Sequence, residues 1–202
     1  MAALFEHWEW KNKLFPMNPE ASDAGNWWRC ANLGFLYVAK RDKKGRPVLI
    51  MNVERIIQNN VLIDDLIMFT NYFFSFVIEK LLVPGLVECW TMVVDLNNVG
   101  ISNIPLNNVK AIISNGSKFF KGRMFRQYTI NAGWVVRKAF GGISAFLDEF
   151  TQQKLNMLSE AKELLTHVDA DNLEVKYGGR LPNINQNFFP PNMEIKGQHL
   201  LT

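Results

Sequence analysis

Apolar and polar residues switch repeatedly between a period of two and a helical period, and the switches predict the elements one after another. Gly34-Phe-Leu-Tyr-Val-Ala-Lys40 has strand composition, Arg41-Asp-Lys-Lys-Gly-Arg46 is a charged turn, and Pro47-Val-Leu-Ile-Met-Asn-Val53 reads as a second strand, so together they predict a hairpin. Residues 62–82 predict a helix that is apolar round most of its circumference and must lie inside the molecule. Residues 88–96 predict a buried strand, and residues 105–120 a helix with Pro105 near its first turn, where a missing N–H is tolerated. A strand over 126–131, a helix over 134–150, a short strand over 155–158, a helix over 161–166 and a closing segment over 172–179 complete the pattern. Alternating strands and helices predict an α/β domain with a mixed, largely parallel sheet. An aromatic N-terminal piece, residues 1–33, contains Trp8, Trp10, Trp27 and Trp28 and is expected to be a short helical unit preceding a domain over 34–180. The tail over 181–202, with Asn-Phe-Phe-Pro-Pro at 187–191, is expected to be extended and loosely packed.

The stretch from Trp134 to Phe150 is the most unusual of these elements. At 100° per residue Val136, Ala139, Phe140, Ile143, Phe146, Leu147 and Phe150 share one face, opposite Arg137, Lys138, Ser144, Asp148 and Glu149. Gly141 and Gly142 interrupt it, each at a cost of about 1 kcal/mol relative to alanine. Two readings stand: an ordinary surface helix admitting a close neighbour, or a lid over an apolar cavity with the glycines as hinge. A variant of either ends the helix near Leu147 and lets Asp148 cap a second short helix through Thr151 and Lys154.

Composition narrows the classes. Lys and Arg number 22 against 19 Asp and Glu, a net charge of +3, too mild to indicate nucleic acid yet compatible with anionic membrane surfaces. Cys30 and Cys89 form no CxxC pair, so a reducing, cytoplasmic setting is expected. The longest apolar stretch, Leu66 to Ile78, is flanked by Asp64, Asp65, Glu79 and Lys80 and falls short of the roughly 20 residues a spanning helix requires. Lys118-Phe-Phe-Lys-Gly-Arg-Met-Phe-Arg126 interleaves four cations with three phenylalanines, as either a membrane-touching loop or a basic lead-in to a strand. His7, His167 and His199 have no neighbours at metal-ligand spacing, and no GxGxxG, P-loop or GxSxG is present. Ser159-Glu-Ala-Lys162 fits SxxK, a pattern short enough to arise by chance. Asp95 at a strand end suits an α/β phosphohydrolase, but Asn97 and Asn98 stand where a second carboxylate is needed. The expectation is a protein that is not an enzyme and needs no cofactor or metal.

Five segments in order resemble the CRAL-TRIO lipid-binding family, in particular its yeast-type phosphatidylinositol-transfer branch. They are Asp42-Lys-Lys-Gly-Arg-Pro-Val48; Val93-Val-Asp-Leu96 with Gly100-Ile-Ser102; Arg123-Met124 leading to Tyr128-Thr-Ile-Asn-Ala132; Phe146-Leu-Asp148 with Thr151 and Lys154; and Asn172-Leu-Glu-Val-Lys-Tyr-Gly-Gly179. The resemblance implies one hydrophobic ligand in a sheet-floored pocket, exchanged with membranes by a gate helix over residues 134–147, with Gly141 and Gly142 as its hinge. It implies headgroup contacts from Thr151 and Lys154, supported by Arg123. The apolar residues expected to line the cavity and gate are Phe69, Phe73, Phe76, Val77, Trp90, Met92, Phe140, Ile143, Phe146 and Leu147. The chain departs from that branch at Gly122, where the family carries an acidic residue. It departs again at Trp90 and Met92, which replace the hydroxyl residues that hold phosphocholine. The ligand implied is a phospholipid or other hydrophobic molecule, with phosphatidylinositol as one option. The alternatives are a lipid-sensing adaptor without transfer activity and an Asp95-dependent phosphohydrolase.

Overall fold

The computed structural model describes residue 9 and residues 27–103, 106–138 and 149–191. Strands β1 (Leu36–Arg41) and β2 (Pro47–Asn52) form the antiparallel hairpin. Its turn is organised by the buried Asp42, whose Oδ1 accepts the N–H of Lys44 at 2.8 Å and of Arg46 at 3.0 Å. Its Oδ2 accepts from Arg46 Nε and from the Thr91 hydroxyl, each at 2.8 Å, which ties the hairpin to the sheet interior. Asn52 then caps helix α1 (Val53–Gln58), its side chain accepting the N–H of Arg55 at 3.1 Å.

Helix α2 (Ile63–Phe76) continues directly as a π-turn over Val77–Leu81. Strand β3 (Trp90–Asp95), helix α3 (Leu106–Phe119), strand β4 (Met124–Ile130), a helical turn over 134–138, helix α4 (Glu149–Gln152) and strand β5 (Leu155–Met157) follow. The sheet is five-stranded in the order β1-β2-β3-β4-β5, parallel from β2 onward. The long loop 97–123, with α3, is the crossover that a parallel β3–β4 pair requires.

Because strand side chains alternate, the sheet separates two apolar clusters. Leu36, Val38, Leu49, Met51, Trp90 and Met92 face one way, against α2. Tyr37, Ala39, Val48, Ile50, Val93 and Tyr128 face the other, against Leu164, Val168, Leu173, Tyr177 and Phe188 of the C-terminal third. That third is built from 3-10 turns at Ala161–Thr166, Ala170–Asn172 and Val175–Tyr177, the first with a capping box between Glu160 and Glu163. Gly179 lies so close to Leu173 that a Cβ there would run into the Leu173 carbonyl oxygen, which explains the second glycine of Tyr-Gly-Gly.

The helix expected over 161–166 is present and is of 3-10 type. One expectation is corrected. The tail is packed as far as residue 191: Phe188 is 4% exposed against Tyr37, and the Phe189 ring meets Trp28, Tyr72, Phe73 and Phe76 at centroid distances of 5.8, 5.6, 5.9 and 4.8 Å. Asn-Phe-Phe-Pro-Pro thereby fastens the 3-10 turn Trp27–Asn32 to α2, because its two aromatic rings find aromatic partners that are distant in sequence.

Candidate functional site

A cavity of about 690 Å³ opens on the α2 face of the sheet. Its floor is Met51 of β2 and Trp90, Met92 and Val94 of β3, which alternation turns to this face, with Met124 and Gln127 of β4, three residues apart, brought to it by the register shift between Met124 and Arg126. Leu66 and Phe74 of α2 form one wall, and Val109, Ile112, Ile113 and Gly116 of α3 the other, a stripe at helical spacing. Phe120 closes the base against Phe74 and Trp90, at 5.1 and 6.5 Å between ring centroids. Val136 and Phe150 also contribute to the lining.

Ser117, Lys121, Gln127, Thr129, Thr151 and Lys154 are the polar side chains of the lining. The Lys154 ammonium donates to the Met124 carbonyl at 2.9 Å and lies 4.1 Å from the centre of the Phe150 ring. Its backbone N–H donates to the Thr151 carbonyl at 3.0 Å, joining the two residues through the turn that ends α4. Helix α4 stops at Gln152, so Thr151 and Lys154 are neighbours across this turn and do not share a helix face. Gly122 has φ of +80°, a left-handed conformation that suits glycine and leaves this corner without the carboxylate seen in the resembling branch.

The other sequence-singled residues are distributed as follows. Trp90 and Met92 are on the cavity floor. Phe69, Phe73 and Val77 are fully buried in the packed core, and Phe76 packs against Phe189, all off the cavity lining. An all-round apolar helix gives no period by which to tell the cavity face from the core face. Arg123 also lies off the lining and donates from Nη1 to the Glu88 carbonyl at 3.1 Å, with the Glu88 carboxylate at 3.9 Å. Phe140, Gly141, Gly142, Ile143, Phe146 and Leu147 lie outside the described residues. The α3 stripe is a part of the lining that helical spacing signals in the sequence.

Asp95 is 4% exposed, and its carboxylate is enclosed as an acceptor. Oδ1 takes the Asn97 N–H at 3.0 Å and the Asn131 side-chain amide at 2.8 Å, and Oδ2 takes the Tyr177 hydroxyl at 2.9 Å. Burial, followed by the charges around it, holds the Tyr177 phenol far above its usual range. This carboxylate therefore anchors the closing Tyr-Gly-Gly segment to the strand end and offers no open face for phosphoryl transfer. Glu174, fully buried, anchors the same segment by accepting the Tyr37 hydroxyl at 2.8 Å and pairing with Lys176 at 3.0 Å. Among the described residues no group of three His, Cys, Asp or Glu is placed to hold a metal, and no helix is long and apolar enough to cross a membrane.

The family model described as "CRAL/TRIO domain" matches residues 31–179. The chain belongs to the CRAL-TRIO family. Among curated CRAL-TRIO relatives, the SEC14 cytosolic factor of Schizosaccharomyces pombe is 36% identical over 99 residues, 47% of this chain and 35% of the relative. The SEC14 cytosolic factor of Eremothecium gossypii is 32% identical over 162 residues, 71% of this chain and 51% of the relative. The chain thus spans a third to a half of the length of these relatives. Among solved structures, the crystal structure of Sfh5 superposes with a TM-score of 0.70 at 16% identity, covering 95% of this chain and 70% of that one, a likeness of fold. The CRAL-TRIO motifs have physical reasons in this chain: Asp42 closes the hairpin turn, Asp95 receives Tyr177, and Gly179 lets the last turn approach Leu173.

Proposed function

We propose that this CRAL-TRIO domain binds a single lipid in the cavity on its sheet and exchanges it with membranes, as a non-enzymatic lipid-transfer protein. The observation that supports this best is an apolar cavity of about 690 Å³ whose lining includes Thr151 and Lys154. Acyl chains lying over Met92, Val94 and Phe74 leave water at about 0.8 kcal/mol per methylene, enough for a long-lived complex. The Lys154 ammonium, held by a carbonyl and an aromatic face, is a donor for an anionic headgroup, phosphatidylinositol being the candidate that the SEC14 likeness favours. Arg123 would support that headgroup only by turning away from Glu88.

The segment over 134–147 is the proposed gate, with Gly141 and Gly142 as its hinge and Phe140, Ile143, Phe146 and Leu147 as its apolar face. Exposed Trp134 beside Lys138 and exposed Phe150 beside Lys154 supply aromatic and cationic contacts suited to a membrane interface at its two ends. The SEC14 relatives are named cytosolic factors, and we place this chain in the cytoplasm with transient membrane contact.

The test is native mass spectrometry of the freshly purified chain with identification of the released lipid, followed by transfer between vesicles. One lipid per chain and transfer lost in Ile143→Asp are expected. An empty chain that takes up no lipid from vesicles would overturn the reading, whereas tight binding without transfer would make the domain a lipid sensor.

A further inference from the structure

The cavity floor carries a carboxamide among apolar side chains. Gln127 of β4 lines the cavity between Met92 of β3 and Leu155 of β5, its partners in the two ladders and both on the lining. The other face of β4 is filled by Tyr128 and Ile130, so the exposed part of the half-buried Gln127 side chain faces the cavity. Its backbone is engaged on both sides: the N–H donates to the Lys154 carbonyl at 2.9 Å, and the carbonyl accepts from the Asn156 side chain at 3.3 Å. In the side chain, Nε2 donates to the Thr129 hydroxyl at 3.3 Å. Among the described residues nothing donates to Gln127 Oε1, which, unlike the enclosed Trp90 Nε1, keeps accessible surface.

Held by Thr129, this amide presents one N–H and an unfilled oxygen, so its complement is a group that both donates and accepts, a hydroxyl. Turning the amide round changes which atom meets Thr129 but leaves it both capacities. A methylene chain laid over it would strip away water and replace no bond, and an ester carbonyl would leave the oxygen unfilled. The depth of the amide is set by the ladder. The Lys154 ammonium is held at the Met124 carbonyl, Met124 pairs with Trp90, and Gln127 pairs with Met92, two residues or about 7 Å farther along β3. That spacing suits the glycerol hydroxyl of a monoacyl glycerophosphate whose phosphate meets Lys154. It also suits the hydroxyl of a neutral sterol lying on the floor. We infer that Gln127 hydrogen-bonds a free hydroxyl of the bound lipid, with Thr129, 1% exposed, as its positioning residue, so that the cavity selects hydroxyl-bearing lipids over equally apolar ones without that group. The inference rests on the lipid-binding reading above and adds a specificity-determining residue to it.

The experiment uses the full chain stripped of lipid and incubated with phosphatidylcholine vesicles containing equal amounts of a matched pair. One pair is oleoyl lysophosphatidic acid and its analogue lacking the glycerol hydroxyl; the other is cholesterol and cholestene, which lacks only the hydroxyl. Lipid carried off by the protein is extracted and quantified by mass spectrometry. The wild-type chain is expected to enrich the hydroxyl-bearing member of one pair at least five-fold, and which pair responds identifies the source of the hydroxyl. Gln127→Met, similar in length but apolar, should load both members of that pair equally. Thr129→Val should lower the preference and Thr129→Ser should keep it, a ratio that a purely structural role would not move. Equal loading of both pairs by wild type, or a preference retained in Gln127→Met, overturns the inference while leaving lipid binding intact. Uptake of phosphatidylcholine alone does the same. A wild-type chain that carries off no lipid at all overturns the lipid-binding reading and this inference with it.

Discussion

Tyr177 and Asp95 are 82 residues apart in sequence, and their hydrogen bond at 2.9 Å decides how the C-terminal third closes on the sheet. Tyr177→Phe removes the hydroxyl and leaves a buried carboxylate oxygen without that partner, so it should cost about 1–2 kcal/mol in urea denaturation. Lipid loading should be unchanged, because Tyr177 belongs to the cluster on the face away from the cavity. His167, stacked on Tyr128 at 4.6 Å, has its pKa lowered, first by burial and next by the positive charge of Arg126. A depressed imidazole favours the neutral ring in the folded state, so the unfolded chain binds its proton more readily. Stability should therefore fall as pH is taken below about 6.5 towards the folded pKa, and His167→Gln should flatten that part of the curve. A pH series of melting temperatures on both proteins checks it.

At the scale of elements, the tail and the closing turns behave as fasteners. Phe188→Ala opens a hole beside Tyr37 and removes the ring that Arg55 covers at 4.8 Å, and should cost about 3 kcal/mol by chemical denaturation. Gly179→Ala should be comparably damaging because the added methyl meets backbone, which cannot rotate aside as a side chain does. Helix α2 shows why the cavity face was hard to read. Its buried residues include Leu66 and Phe74 on the lining and Phe69 and Phe73 in the core, and hydrophobicity is the same on both faces. Helix α3 is amphipathic, and its stripe through Val109, Ile112, Ile113 and Gly116 does line the cavity.

For the whole molecule, the sheet is a partition with a cavity on one side and a filled core on the other. Ligand binding stabilises the native state by mass action, so the loaded chain should melt higher than the stripped one. In hydrogen exchange the slowing should concentrate in α2, α3 and β3, with little change around Leu164, Val168 and Leu173; uniform slowing on both faces would contradict the partition. The order of strands and helices, the β1–β2 hairpin and the buried character of β3 were determined by the sequence alone, because each depends on periodicity and turn residues within one short segment. The seating of Phe189 among Trp28, Tyr72 and Phe76, the enclosure of Asp95, the pairing of Arg123 with Glu88 and the unpaired Trp90 indole were decided only by tertiary structure. Each of these depends on which distant segment arrives opposite a residue, and no local pattern encodes that.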